Sequence, residues 1–304
     1  MAFTAKDVAE LRKQTGCGMM DCKKALTESD GDFEAAVKYL REKGMAATAK
    51  KADRIAAEGI VDIMTIDNVT AIVEVNSETD FVAKNATFQE FVKEILKTII
   101  ANKPADVDAL LASAYVGGGT VSEALAEQIY KIGEKLSIRR FVIVEGVVST
   151  YIHGMGATGV VVNFETDVAD KDGFAEYAKN IALQTAAMPV QYLDKDAVPA
   201  EVLAEEKNIL IKQMQQDPKM ANKPQQVLEK IVEGKLGKFY ENNCLLHQLY
   251  VKDDSMTVAK YVESVAKSLG GSIKVTGYVR YDKGEGLEKR EEDFAAEIQK
   301  MVQG

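Results

Sequence analysis

Glu78 and Asp80 stand two positions apart, a spacing at which one carboxylate can serve as a general acid and the other as a base. The pair recurs as Glu165 and Asp167, and a carboxylate pair present twice is explained more simply by a duplicated scaffold than by one reaction centre. Cys244 and His247 suggest thiol or metal chemistry, but no second ligand pair lies near them in the chain. The glycine-rich pieces, such as Gly117-Gly118-Gly119, fit neither the phosphate-loop pattern nor the dinucleotide fingerprint, so the chain is not expected to hold a nucleotide or a cofactor. With two histidines, no tryptophan and three cysteines (Cys17, Cys22 and Cys244), little is available for histidine catalysis, a zinc site or a disulfide framework.

The chain has 304 residues, 46% of them apolar and 28% charged, enough for two or three packed units. A formal charge of −9 argues against nucleic acid as a partner, since that requires Lys and Arg to neutralise phosphates. No run of 18 apolar residues is present, so no membrane span is expected. The opening MAFTAKDVAELRKQTG has neither a signal-peptide apolar core nor transit-peptide character. A cytoplasmic protein, in a bacterial cytosol, is the expectation.

Thr4 and Asp7 mark a helix start, with Val8 and Leu11 on one face. Gly16 and Gly18 interrupt before a second helix over Met19–Leu26, and Asp30-Gly31-Asp32 opens a third carrying Phe33, Val37 and Leu40. A bundle this small buries little, so a module tethered to the rest is predicted, with residues 45–58 as a helical connector. The period then changes. Ile60–Ile66 and Val69–Val75 flank Asp67-Asn68, a two-residue hairpin turn. A helix follows from about Thr87 to Ile100, with Phe88, Phe91, Ile95 and Ile99 along one side.

Residues 58–80 align without a gap to residues 145–167, an offset of 87. Glu58, Gly59, Val61, Val73, Val75, Asn76, Glu78, Thr79 and Asp80 recur at that offset. After a one-residue deletion the match continues, with Phe88 against Phe174 and Phe91 against Tyr177. Two copies of one strand-hairpin-plus-helix unit follow. The deletion falls at Phe81, so the scaffold is duplicated and this aromatic is not. Farther on, Val202, Leu203, Ile209, Leu210 and Met214 form one helical stripe and Val227, Leu228, Ile231, Val232 and Leu236 another, bracketed by Pro218 and Pro224. They predict an antiparallel helical hairpin. Residues 257–269 read as a helix, 272–281 as a strand and 293–302 as a short closing helix.

Four segments, in this order and at this spacing, resemble bacterial translation elongation factor Ts over essentially the whole chain: Leu11–Leu26, Glu78–Asn85, Tyr151-Ile152-His153-Gly154 and Gly284–Lys289. The resemblance implies an α+β fold with a UBA-like three-helix bundle at 1–55 and a first core subdomain at 56–143. It puts the second subdomain at 144–198 and 239–282, an inserted antiparallel coiled-coil hairpin at 199–238 and a C-terminal module at 283–304. It also implies a function: exchange of guanine nucleotide on the GTPase elongation factor Tu, without making or breaking a bond. The partner would be Tu, GDP-bound and then nucleotide-free. In the family, the Asp80-Phe81 pair contacts the nucleotide-binding domain of Tu, with the ring entering an apolar gap and disturbing the Mg²⁺ site. Met19-Met20 and the C-terminal helix touch that same domain, and the His153 turn faces a β-barrel of Tu. Carried over to this sequence, the partner-binding set is Thr79, Asp80, Phe81, Val82, Met19, Met20, Lys23, Arg12, Ile132, Gly133 and His153. A homodimer through the 199–238 hairpin stays open.

Each site residue also has a plainer reading. Phe81 can be core at a helix start, although its position opposite a gap and its neighbours Asp80 and Lys84 argue otherwise. Asp80 can be a helix N-cap that aims Phe81, as can Asp167 in its own copy. Of Met19 and Met20, adjacent on a helix, one should be exposed. His153, beside Gly154 and Gly156, should be a solvated turn residue. The rival functions are an acid-base hydrolase and a ubiquitin-associated-type adaptor.

Overall fold

The computed structural model describes residues 3–188, 190–216 and 224–288, and within it the cap expected at Thr4 starts the first helix. The Asp7 N–H donates to Thr4 Oγ1 at 3.3 Å while the Thr4 N–H donates to Asp7 Oδ2 at 2.6 Å. Helix α1 (Ala5–Thr15) ends at Gly16, whose φ of 68° only glycine adopts cheaply. Then come α2 (Met19–Glu28) and α3 (Phe33–Lys51). Of the helical connector expected at 45–58, only 45–51 is helical, as the last part of α3; the chain leaves the helix at Ala52 and runs without regular structure to Ala57.

Next are β1 (Glu58–Ile66), β2 (Val69–Ser77), α4 (Asp80–Ala83), α5 (Ala86–Asn102), α6 (Val107–Ala112), α7 (Val121–Ile132) and β3 (Leu136–Glu145). Strands β1 and β2 pair antiparallel from Glu58↔Ser77 to Ile66↔Val69, so Asp67-Asn68 is the predicted two-residue turn. The second copy follows with β4 (Val147–His153), β5 (Thr158–Thr166) and α8 (Phe174–Ala187), then α9 (Ala200–Gln216) and α10 (Gln225–Asn243). A small hairpin of β6 (Leu249–Tyr250) and β7 (Asp253–Thr257), helix α11 (Val258–Leu269) and strand β8 (Ile273–Asp282) close the described chain. The sheets run β1-β2-β3 and β4-β5-β8, one layout used twice in an α+β fold. The predicted helix at 293–302 and the turn at Pro218 lie outside the described residues.

The chain divides into two compact units. One comprises Met1–Ile143, Ile152–Gly159 and the stretch from Tyr281 on; the other comprises Val144–Tyr151 and Val160–Arg280. In the first, Phe88, Phe91, Ile95 and Ile99 of α5 are buried against Val73, Val75, Leu136 and Ile138 of the sheet. The bundle core is Leu11, Cys22, Leu26 and Leu40, and Tyr130 of α7 packs against it. The expected tether is therefore also a packed helix pair. A Cβ on Gly44 of α3 would sit 3.1 Å from the Ala126 carbonyl of α7, so glycine is what lets the helices approach.

In the second unit, Phe174, Tyr177 and Ile181 of α8 meet Val160, Val162 and Phe164 of β5, with Val258 and Val262 of α11. Helices α9 and α10 bury Met214, Leu228, Val232 and Leu236 between them. Ile209, expected in that stripe, is instead 42% exposed, and Ile211 packs in its place. The seam follows positions 210, 211 and 214, a narrower coiled-coil spacing than the broad stripe read from apolar residues alone.

Glu74 of β2 is a wholly buried carboxylate in the first unit. Its oxygens accept from Asn76 Nδ2 at 3.0 Å, Arg139 Nη1 at 3.0 Å, Arg140 Nε at 2.6 Å and the Gly284 N–H at 2.8 Å. Burial pushes the acid upward, but the Gly284 N–H, Asn76 and the two guanidiniums outweigh it and hold it below the usual carboxylate range. That sign sets the pH window. The stabilisation is complete above the ordinary carboxylate pKa and is lost as pH falls through the lowered value. Acid titration of unfolding should therefore show a loss in wild type that Glu74→Gln lacks. Glu74→Ala should cost about 3 kcal/mol in urea unfolding, at the low end for breaking a buried pair, because both guanidiniums keep about a quarter of their surface in water. In the second unit the Tyr177 hydroxyl is buried without a partner, where the first copy has Phe91. Tyr177→Phe should leave stability unchanged or raise it by about 1 kcal/mol in the same assay.

Candidate functional site

Glu78 and Thr79 follow the end of β2 at Ser77 and lead directly into the single-turn helix α4. The residue at the cap position is Thr79, not Asp80, and its side chain caps nothing. Its N–H instead donates to Glu134 Oε2 at 3.0 Å and its hydroxyl to Glu134 Oε1 at 2.7 Å. In return, Glu78 Oε1 accepts the Lys135 N–H at 2.6 Å and a bond from Arg54 at 3.1 Å. Each carboxylate thus holds the backbone N–H of the residue that follows the other, Glu134 that of Thr79 and Glu78 that of Lys135. Lys135 completes the tie by donating from Nζ to the carbonyls of Ala52 and Arg54 at 2.5 and 2.9 Å.

The Asp80 N-cap reading is corrected accordingly: Asp80 is the first helical residue, and its carboxylate pairs with Lys84 at 2.6 Å. The Lys84 hydrogen bond, with its charge, holds the acid below its ordinary range. The repeated Asp167 is also lowered, for a different reason: it accepts the Ser272 N–H at 2.7 Å.

Phe81 is 78% exposed, so it is not core. Its neighbours Val82 and Ala83 turn inward. Lys84 Nζ lies 5.9 Å from the ring centroid, within cation–π reach, so the Asp80–Lys84 pair runs alongside the ring. Behind it, Asn85 caps α5 by accepting the Thr87 N–H at 2.8 Å, and Gln89 Nε2 donates to the Ala83 carbonyl at 3.1 Å. A large apolar ring is thereby held in water by a turn tied down at both ends, an arrangement that suits insertion into a partner's apolar gap.

The Glu134 tie brings Ile132 and Gly133 beside this turn. Ile132 is half-buried against the sheet core, and Gly133 ends α7 with a φ of 85°. The same end of α7 reaches the bundle. The Tyr130 hydroxyl is hydrogen-bonded to Asp21 and, mainly through burial, resists ionisation, while the Lys131 side chain lies over Gly16. At the start of α2, Met19 and Met20 are exposed by 43% and 72%. One exposed methionine was expected and there are two, since the buried face of α2 begins only at Cys22. Arg12 and Lys23 are exposed on the same bundle. His153, at the end of β4, is exposed between Ile152 and Met155, and Met155 is 80% exposed in a left-handed turn conformation.

The residues that sequence reasoning missed are Glu134, Arg54 and Lys135. Thr120 and Glu123, a reciprocal capping box ahead of Gly133, were the overlooked signal of the helix that carries them to the site. The other chemistry considered has no geometry to support it. Burial raises Cys244 to about 11, and His247 Nε2 bonds Asp194 at 2.8 Å. Among the described residues no cluster of three metal-ligating side chains occurs. If Lys84 is what lowers Asp80, Lys84→Ala should move the Asp80 carboxyl titration, followed by carbon NMR, back up toward the ordinary range.

Two comparisons bear on this arrangement. The family model described as elongation factor TS matches residues 78–285, more than half of the chain and beginning at the clamped turn. The elongation factor Ts of Syntrophotalea carbinolica is 47% identical over 306 residues, spanning 99% of this chain and 100% of that protein.

Proposed function

The chain belongs to the elongation factor Ts family of translation elongation factors, and from that premise we propose that it is a guanine-nucleotide exchange factor for the GTPase elongation factor Tu. Phe81 is the acting group. It enters an apolar gap in the nucleotide-binding domain of Tu, and the segment that supports the Mg²⁺ shifts, so GDP leaves. What carries this reading is an exposed aromatic at the one position where the first repeat has a residue and the second has none. Burying that ring supplies roughly 1.5–3 kcal/mol, available for distorting the partner.

The other contacts are assigned by the same reading. Thr79, Asp80 and Val82 frame the ring. Ile132-Gly133, Met19-Met20, Lys23 and Arg12 touch the same domain of Tu, and His153 meets its β-barrel. The five-part division of the chain, and a homodimer through the 199–238 hairpin, stand as proposals alongside it. The protein acts in the cytoplasm as a regulator, and no bond is made or broken on it.

The energetics are reciprocal. If this protein weakens GDP binding to Tu by some factor, GDP weakens the binding of this protein to Tu by the same factor. Exchange runs through a ternary complex, and the protein lowers a barrier without choosing GTP over GDP. The hydrolase reading loses its acid-base pair, because Glu78 is spent on the Lys135 backbone and Arg54 while Asp80 faces Lys84.

Phe81→Ala should keep the wild-type melting transition while slowing fluorescent-GDP release from Tu by about 10- to 100-fold, the equivalent of losing the ring's burial. Loss of cooperative melting would return the ring to the fold. No acceleration of release by the wild-type protein would end the exchange reading.

A further inference from the structure

In both repeats the Glu-Thr-Asp segment is anchored to the chain just before the third strand, but by different side chains. In the second unit the Ser272 N–H, next to β8, donates to Asp167, and Thr166 Oγ1 donates to the Ser272 carbonyl at 2.8 Å. Both side chains are consumed there. In the first unit the equivalent N–H, that of Lys135 next to β3, is taken by Glu78, two residues earlier than the aspartate. Glu134 takes the Thr79 hydroxyl and N–H together. Asp80 is thereby released from scaffold duty and turns to Lys84, and the extra residue, Phe81, is turned outward.

We propose that Glu78 and Glu134 are positioning residues for exchange: their reciprocal grip on the Lys135 and Thr79 backbone frees Asp80 and aims the Phe81 ring. The proposal rests on Phe81 being the group that enters Tu, and it adds what holds the ring in register. Charge-assisted bonds to backbone N–H groups are the strong class, and two of them across one turn fix the start of α4 more firmly than a side-chain cap would. A misaimed ring costs the distortion step rather than the encounter, because the remaining contacts still bring the two proteins together.

The test is the rate of fluorescent-GDP release from Tu as a function of factor concentration. Glu134→Ala should lower the saturating rate by about tenfold and leave the half-saturating concentration within about twofold. Glu134→Gln should retain near wild-type rates, because its amide can accept from the Thr79 N–H and donate to the Thr79 hydroxyl. In a Phe81→Ala background, Glu134→Ala should cost nothing further, since the ring it aims is gone. Where Glu134→Ala fails to fold, Thr79→Val, which deletes only the hydroxyl donor, carries the same test with a smaller loss.

An equal loss in the Phe81→Ala background, a change in half-saturation alone, or an unchanged rate would overturn the positioning role. If Phe81→Ala slows release but Glu134→Ala does not, only the positioning role falls. If Phe81→Ala itself is without effect, the ring reading falls and this one with it.

Discussion

A buried negative charge organises the first unit. Glu74 has no water to solvate it, so four donors from three separate chain segments must converge on one carboxylate. Asn76 comes from its own strand, Arg139 and Arg140 from β3 and the N–H from Gly284, beyond the last strand. Gly284 is itself confined: its φ is 69°, and a Cβ there would lie 2.2 Å from the Ala57 carbonyl, so no other residue fits. Arg140 also stacks over the Tyr281 ring, 4.0 Å from its centroid, and pairs with Glu285. The second repeat has Val161 at the matching position and fills its sheet with apolar side chains. One copy is locked by charge and the other by packing.

This difference explains what could and could not be read from the residues. The hairpin at Asp67-Asn68 was legible because strand period and turn chemistry agree. The helix carrying Phe88, Phe91, Ile95 and Ile99 was legible because its apolar stripe faces a sheet. Strand β3 was not. Nothing local marks its consecutive arginines as structural, since the acid they pair with lies 65 and 66 residues away in sequence. Helix α7 carries local signals at both ends, the Thr120–Glu123 capping box and the left-handed Gly133. Ile209 was misplaced because an apolar residue on a helix need not lie on its seam.

At the site, the exposed ring and the split between duplicated and added residues were readable, because an unmatched aromatic between charged neighbours has few reasons to be core. The clamp was not readable. Glu78 looked like a candidate acid and nothing in the sequence singled out Glu134, and only three-dimensional pairing across 55 residues gives them one task. Comparison of the copies shows how little separates a structural turn from a presenting one: an acceptor moved by two residues, a carboxylate added before the third strand and one residue inserted.

Gly284 and Glu74 are separated by 210 residues. During synthesis the strand carrying the buried carboxylate, and both arginines that neutralise it, leave the ribosome long before the last donor exists. The β1-β2-β3 sheet must therefore wait, with its acid hydrated or only partly held, while the entire second copy is made and folds. Such a high-separation contact makes closure of the first unit a late, slow event in the folding of the chain. It also makes that closure a check on completeness, because a polypeptide stopped before Gly284 lacks one of the four donors to that carboxylate.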